Sequence, residues 1–343
     1  MESDDKSGKG RSVRVEDVAR EAGVSPITVS RALSTPDIVK AETRERVMRA
    51  VQKTGYVVNT YASSLRSGRS SIVSMFVANI ANPHVTQVIR GCAEALAGSG
   101  LHLTMTQLQT SNAIDAEVIA AVLPLRPAAL VFTGRLQLQS ARDLVKARGI
   151  PVVETWDYYS DPIDMVVGFC HTECGRQMGE HLGSAGFRHI AYVGSTTSRA
   201  GKRLKGFQEG LAKHGRDIGH ILTLSEPLVT DVGRRALDLL FDEYPSCDAA
   251  FFSNDIWAVG AALHAQTSAV PALRNLAIAG CGDIGLAADL PVPITTMRTS
   301  GYDLGMQVGR MLQRRLDGES QVKAVKMQTE LLVRASTERR VSG

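Results

Sequence analysis

Residues Val15–Leu33 read VEDVAREAGVSPITVSRAL. Val15, Val18, Ala19 and Ala22 recur at spacings of three and four, which puts small apolar groups on one face of a short helix. Gly23 follows where that helix must stop, since glycine accepts the left-handed conformation of a C-terminal cap. Ser25 can cap a new helix with Pro26 at its first position, where a missing N–H costs nothing. Val29, Ala32 and Leu33 then face inward, leaving Pro26, Ile27, Thr28, Ser30 and Arg31 to face out. Two short helices joined by a Gly-containing turn match a helix-turn-helix, whose second helix enters the DNA major groove. An ordinary helical hairpin shares the pattern, so the flanking sequence has to decide.

A third amphipathic helix is expected over about Ala41 to Thr54, with Val47, Ala50 and Val51 inward and Arg44, Arg46, Arg49 and Lys53 outward. The alternating signs of Glu42, Arg44, Glu45 and Arg46 also fit a plain solvated face. Charge separates the two readings. Residues 1–69 carry 13 Lys and Arg against 9 Asp and Glu, while the rest of the chain carries 26 of each. The whole excess of +4 therefore accompanies the two-helix stretch, as a polyanionic partner favours.

The runs DVAREAGVSPITVSRAL, TRERV, GYVVN and YASSLRSG, in that order, resemble the DNA-binding headpiece of the LacI/GalR family of bacterial repressors. The resemblance extends in the expected order from Val13 to about Thr337. It implies an all-α helix-turn-helix headpiece over 12–58, a hinge over 59–70 and a two-lobed α/β core over 71–337 of the periplasmic-binding-protein (type I) kind. Short tails at 1–11 and 338–343 flank these. It further implies DNA contacts from Arg14, Ser25, Pro26, Ile27, Thr28, Ser30, Arg31, Tyr56 and Asn59. In the hinge, Leu65 matches a residue that wedges into a minor-groove base step, and Ala62 the small residue that allows close approach. Pro26 and Arg14 depart from the usual family residues. Pro26 brings no donor, so the operator's bases do not carry over, and Arg14 leaves the cap of the first helix in question.

At 343 residues with 44% apolar and 22% charged content, the chain suits a globular protein of more than one domain. Five cysteines at irregular spacing give no disulfide framework. The polar N-terminus, MESDDKSGKGRS, has no apolar core for a secretory signal, and no apolar run is long enough to span a membrane. A cytoplasmic protein is expected.

From Ser71 the period changes. SIVSMFV, LHLTMTQL, AALVFTG and PVVETW are short apolar runs separated by helical stretches near Pro83–Ala97, Ala113–Leu123 and Leu136–Arg148. A second series, HIAYVG, ILTL, AAFFSN and LAIAGC, alternates with helices near Thr172–Ala185, Lys202–Lys213, Asp231–Glu243 and Ile256–Gln266. Such alternation predicts parallel sheets covered on both faces. A helix over Tyr302–Leu316 and a strand near Ala324–Ala335 close the core. By resemblance the chain crosses between two lobes near Phe169, Met297 and Lys326. Lobe 1 takes about 71–168 and 298–325, lobe 2 about 170–296 and 327–337, with a small ligand in the cleft between them.

Ligands of open α/β sheets bind beyond the carboxyl ends of the strands. The residues there are His84, Arg135, Trp156, Arg203, Asn254, Asp283 and Arg298. Arg203, in RLKGF, matches the arginine with which the family grips its effector, and Asn254, in SND, a cleft asparagine. His84 reads equally well as a structural histidine. Sugar-binding relatives carry G-Y-D-D where this chain has Gly280-Cys281-Gly282-Asp283, so a sugar-binding aspartate is replaced by Gly282. Losing a carboxylate while keeping arginines favours an anion, because a guanidinium fits a carboxylate bidentately. GCGD and VVETWD resemble the gluconate-responsive branch, which implies a sugar acid such as gluconate or a ketogluconate.

Two other readings compete. Gly280-Cys281-Gly282-Asp283-Ile284-Gly285 fits the G-x-G-x-x-G of an NAD-dependent oxidoreductase, but Pro291 and Pro293 follow too soon for the long helix that motif needs. A sugar-binding component of a transporter would suit the lobes, but not the basic headpiece or the missing signal. Cys170, His171 and Cys174 lack a second ligand pair for a metal. The expectation is a homodimeric, DNA-binding, non-enzymatic regulator with no cofactor and no metal.

Overall fold

The computed structural model describes residues 13–56, 70–108, 114–319 and 324–338. The chain divides into two compact units, Met1–Ser70 and Ser71–Gly343. Asn59, Ala62 and Leu65, the expected hinge residues, lie outside the described residues.

In the first unit, α1 (Val15–Ala22), α2 (Pro26–Ser34) and α3 (Ala41–Thr54) enclose a core of Val18, Ala19, Ala22, Val29, Ala32, Val47 and Ala50. Gly23 takes φ +64° at the end of α1, the left-handed cap its position predicts. The Ser25 hydroxyl accepts the Thr28 N–H at 3.1 Å, and Pro26 opens α2. Arg14 settles its own question: its backbone N–H donates to the Asp17 carboxylate at 3.0 Å, so Asp17 supplies the side-chain half of the cap.

The second unit contains two six-stranded sheets. The first is built from β1 (Ile72–Val77), β2 (His102–Gln107), β3 (Ala129–Phe132), β4 (Val152–Asp157), β5 (Met165–Phe169) and β11 (Ala324–Lys326), in the order β11-β5-β4-β3-β1-β2, all parallel. The second is built from β6 (Ile190–Ser195), β7 (Ile218–Leu224), β8 (Ala249–Phe252), β9 (Ala277–Gly282), β10 (Thr295–Arg298) and β12 (Glu330–Leu332), in the order β12-β10-β9-β8-β6-β7. Only β12 there runs antiparallel to its neighbour. Alternation along β1 shows both faces covered: Val73, Met75 and Val77 enter one apolar cluster and Phe76 the opposite one.

Helices α4 (Pro83–Leu96), α5 (Ala116–Val122), α6 (Gln139–Arg148) and α7 (His171–Ser184) follow in the chain, then α8 (Ser198–Ala212), α9 (Thr230–Glu243) and α10 (Asp255–Thr267). The series ends with short α11 (Pro271–Arg274), short α12 (Gly285–Asp289) and α13 (Gly301–Leu316). The chain passes between the sheets at 169–171, 298–301 and 326–330, since α7 packs under the second sheet while Leu304 and Val308 of α13 join the core of the first. The single strand expected near Ala324–Ala335 is two strands on two sheets. β11 pairs with β5, the Met327 N–H donates to the Gly168 carbonyl at 2.8 Å, and the chain then leaves to pair β12 with β10.

In both sheets the strand order reverses between the first strand and the third, β1/β3 and β6/β8. Crevices for ligands open at such reversals, beyond the carboxyl ends. His84 follows β1, Arg203 lies on the helix after β6, and Asn254 follows β8.

Candidate functional site

The first unit presents the outer face of α2. Ile27 is 64% exposed, although a helix in a three-helix core buries such a side chain wherever it can. Pro26 and Arg31 are also exposed, and Thr28 and Ser30 are half-buried. Ser25 and Thr28 hydroxyls lie 2.9 Å apart, so each partly satisfies the other. Arg44, Arg46, Arg49 and Lys53 are exposed on α3, with Lys53 paired to Glu21 at 2.7 Å. Tyr56 packs against the headpiece core, which makes its ring part of the fold as well as part of the surface.

In the second unit, groups from both sheets converge. Helices α7 and α8 approach until backbone meets backbone: a Cβ on Gly175 would lie 2.0 Å from the Arg203 carbonyl oxygen, and one on Gly206 1.8 Å from that of Thr172. This contact sets Arg203 against His171, with Nη1 to Nδ1 at 3.0 Å. Arg199, Lys202 and Arg203 project from the first turns of α8, whose N-cap Thr197 accepts the Ala200 N–H. From the other sheet, Asp157 meets Lys202 at 2.6 Å and Arg199 at 3.4 Å. Burial, then the charges of Arg203, Arg199 and Lys202, push the His171 imidazole well below its ordinary pKa.

His84, from the first sheet's side, reaches Gly282 on the second. A Cβ at Gly282 would sit 2.2 Å from His84 Nε2, and Gly282 takes φ +144°. Both facts explain why the aspartate of sugar-binding relatives has no room here. Burial first, then Arg203, lower the His84 pKa to about 4. Trp156 stands edge-on to His84 with ring centroids 6.2 Å apart, and its φ of +75° turns the end of β4 toward the cleft.

Several buried polar atoms here have no hydrogen-bond partner among the described residues: Arg203 Nε, Asn254 Nδ2, His171 Nε2 and both ring nitrogens of His84. Asn254 Oδ1 already accepts the Trp257 N–H at 2.9 Å, which fixes its amide nitrogen outward from α10. Buried donors in such numbers mark a place where acceptors belong.

Of the residues expected in the cleft, His84, Trp156 and Arg203 come together, and Asn254 stands at the neighbouring strand end. Arg135 does not join them. Its guanidinium lies 4.6 Å from the Tyr159 ring centre and 3.8 Å from Asp161, both on its own lobe. Arg298 is also held elsewhere, by Asp283 at 2.7 Å and Glu330 at 2.9 Å. Asp283 lies near His84 but is bound on its other side by Arg334 at 2.6 Å. Although burial alone would raise its pKa, these two arginines hold it below the ordinary carboxylate range. Glu154, in the VVETWD run, is fully buried. It accepts the backbone N–H groups of Leu136 and Ile163 and lies 3.4 Å from Arg142, so it orders the loops beneath the cleft. Asp157, Arg199 and Lys202 were not among the residues singled out from sequence, and His171 was weighed there only as a metal ligand.

The G-x-G-x-x-G run leads into α12, which is only five residues long. The Ile284 N–H, which would cradle a phosphate in a dinucleotide site, donates to Asp255 instead at 3.1 Å. Among the described residues no group of His, Cys, Asp and Glu is placed to hold a metal ion.

Comparison with known proteins agrees with this arrangement. Residues 14–59 match the family "Bacterial regulatory proteins, lacI family", and residues 180–337 match "Periplasmic binding protein-like domain". The HTH-type transcriptional regulator GntR of Pseudomonas aeruginosa is 32% identical over 94% of this chain and 95% of its own. The regulator of the same name from Escherichia coli K12 is 26% identical over 89% of this chain and 92% of its own. The crystal structure of a LacI-family transcriptional regulator from Silicibacter pomeroyi superposes with a TM-score of 0.86 at 28% identity, covering 95% of this chain and all of that one.

Proposed function

The chain belongs to the LacI family of bacterial regulatory proteins and is a transcriptional regulator, and from that premise we propose that a small sugar acid, gluconate or a ketogluconate, sets its affinity for a pseudo-palindromic operator. The observation that carries the ligand class is the set of unpartnered buried nitrogens at Arg203, Asn254, His171 and His84. They lie beside two further cations, Arg199 and Lys202, that share a single carboxylate, Asp157. A carboxylate on the ligand accepts from Arg203, a charge-assisted bond roughly twice as strong as a neutral one. Sugar hydroxyls can both donate and accept, which suits Asn254 Nδ2 and a neutral imidazole. Trp156 offers an apolar wall for the sugar's C–H face.

On the DNA side, Ile27 is read as facing base edges and a thymine methyl, and Arg31 as bidentate to a guanine. Thr28 and Ser30 reach bases or phosphates, and Arg14, Ser25, Pro26, Tyr56 and Asn59 border the same surface. Leu65 and Ala62 take the minor groove. Two headpieces of a homodimer address two half-sites. Ligand binding changes operator affinity because the two DNA-binding states hold the ligand unequally, a coupling of ~1–3 kcal/mol.

Operator binding by the purified protein, titrated with gluconate, 2-ketogluconate and neutral hexoses, tests this. A shift in operator affinity with an acid and none with the hexoses is expected. A response to a neutral hexose in preference to every aldonate overturns the ligand class, and binding insensitive to all of them overturns the switch. Arg203→Met, which keeps the stem and removes the donors, should abolish the response while leaving operator affinity without ligand unchanged.

A further inference from the structure

The cations of the cleft fall into two groups, and only one is open to a ligand. Arg203 keeps a buried Nε with no partner among the described residues. Arg199 lies one turn before Arg203 on α8 and Lys202 directly before it, and both are engaged by the Asp157 carboxylate from the opposite lobe, at 3.4 and 2.6 Å. That carboxylate is 11% exposed, whereas Arg199 is 36% and Lys202 44% exposed, so this pair borders the solvent side of the site. A ligand arm leaving the Arg203 end would meet it there.

Asp157 is held where it stands. It stands at the end of β4, beside the end of the parallel strand β5, where the Tyr158 N–H donates to the Phe169 carbonyl at 3.1 Å. Gly168 packs so tightly behind it that a Cβ there would lie 2.3 Å from the Asp157 carbonyl carbon. The preceding residue, Trp156, has positive φ, so the chain turns sharply just before the carboxylate. A second anionic group on the ligand would meet two cations already shared with a fixed carboxylate, which halves their charge and repels the incoming anion. Like charges so close disfavour binding, and specificity often rests on such an opposed partner.

On the reading that a sugar acid is the effector, we propose that Asp157 is a specificity determinant: by occupying Arg199 and Lys202 it admits a sugar acid with one anionic group and rejects its phosphorylated counterpart. Without Asp157, two cations at the start of a long helix would form a seat for phosphate.

Calorimetric titration of the full-length protein with gluconate, 6-phosphogluconate and inorganic phosphate tests the proposal. Wild type should prefer gluconate to 6-phosphogluconate by more than about tenfold. Asp157→Asn, and the second neutral variant Asp157→Ser, should move that ratio at least about tenfold toward the phosphorylated acid and gain measurable binding of inorganic phosphate. Adding Lys202→Met to Asp157→Asn should remove both gains, as expected if the two side chains act on one another. Equal affinity of wild type for both acids, or a ratio within about threefold of wild type in the neutral variants, overturns the role of Asp157 and leaves the sugar-acid reading standing. Wild-type protein that binds operator yet neither acid overturns the sugar-acid reading itself, and the proposal with it.

Discussion

His84 shows how much one side chain can report. It is buried as a neutral imidazole whose ring nitrogens have no hydrogen-bond partner among the described residues, and burial together with Arg203 lowers its pKa to about 4 from 6.5. Folding therefore disfavours its protonated form. The stability this histidine leaves intact is fully present above pH 6.5 and is lost as pH falls toward 4. His171 acts in the same direction, while Asp255, raised by burial to about 6, opposes them by binding its proton more tightly when folded. Between pH 7 and pH 5 the His84 share amounts to roughly 2 kcal/mol. Urea unfolding at the two pH values should thus show a drop that shrinks by about that much in His84→Gln. An unchanged drop would mean His84 is accessible to protons in the folded protein. At the headpiece, Ser25→Ala removes the acceptor for the Thr28 N–H and should cost about 1 kcal/mol of headpiece stability, read from the thermal midpoint of that unit.

At the scale of elements, the α7–α8 contact places Arg203, and small residues alone permit it. Thr172 presents a backbone carbonyl to Gly206, which cannot rotate away as a side chain can. Gly206→Ala should force the helices apart and cost ~1–3 kcal/mol in thermal or urea unfolding. It should also weaken ligand binding more than an equally destabilising change in the α4–α13 pair, because it separates Arg203 from His171. Comparable ligand affinities in the two variants would detach the α7–α8 contact from the site.

The same helix shows which parts of the site the sequence revealed. The periodicity of about Ala41–Thr54 predicted α3, and the apolar runs located most of the strands but passed over β5, because core burial dictates both patterns. For α8 the reading began the helix near Lys202. Thr197 caps the helix, so it begins at Ser198. Four residues decide the matter: with Arg199 in a loop, its side chain has no fixed direction, whereas on the helix Arg199, Lys202 and Arg203 share one face at spacings of three and four. Arg135 and Arg298 went the other way. Their positions at strand ends are what a cleft residue needs, but ion pairing to Asp161, Asp283 and Glu330 depends on parts of the chain far away in sequence, to which a local pattern is blind. Asp157 was hidden for the same reason, since its partners are contributed by the opposite lobe.

For the whole molecule, the decisive quantity is the coupling between ligand and operator. The basic excess resides in residues 1–69, whereas the buried donors reside in the two-lobed unit, so each binding event draws on different groups. Coupling must then be carried by states of the chain, and thermodynamics makes it reciprocal. If the sugar acid weakens operator binding by some factor, saturating operator must weaken sugar-acid binding by that same factor, expected within roughly 5 to 150-fold. Salt separates the two arms of this cycle. Phosphate contacts release counterions, so operator affinity should fall steeply and linearly with salt on logarithmic axes. Ligand binding within a cleft depends far less on that release, and the coupling factor should stay nearly constant across the same range. Measuring both affinities, each with and without the other partner, at two salt concentrations closes the cycle. Unequal factors at one salt concentration would mean that ligand and operator are not linked through a single equilibrium. A coupling factor that collapses with salt would mean that the ligand acts by charge on the DNA surface rather than through the lobes.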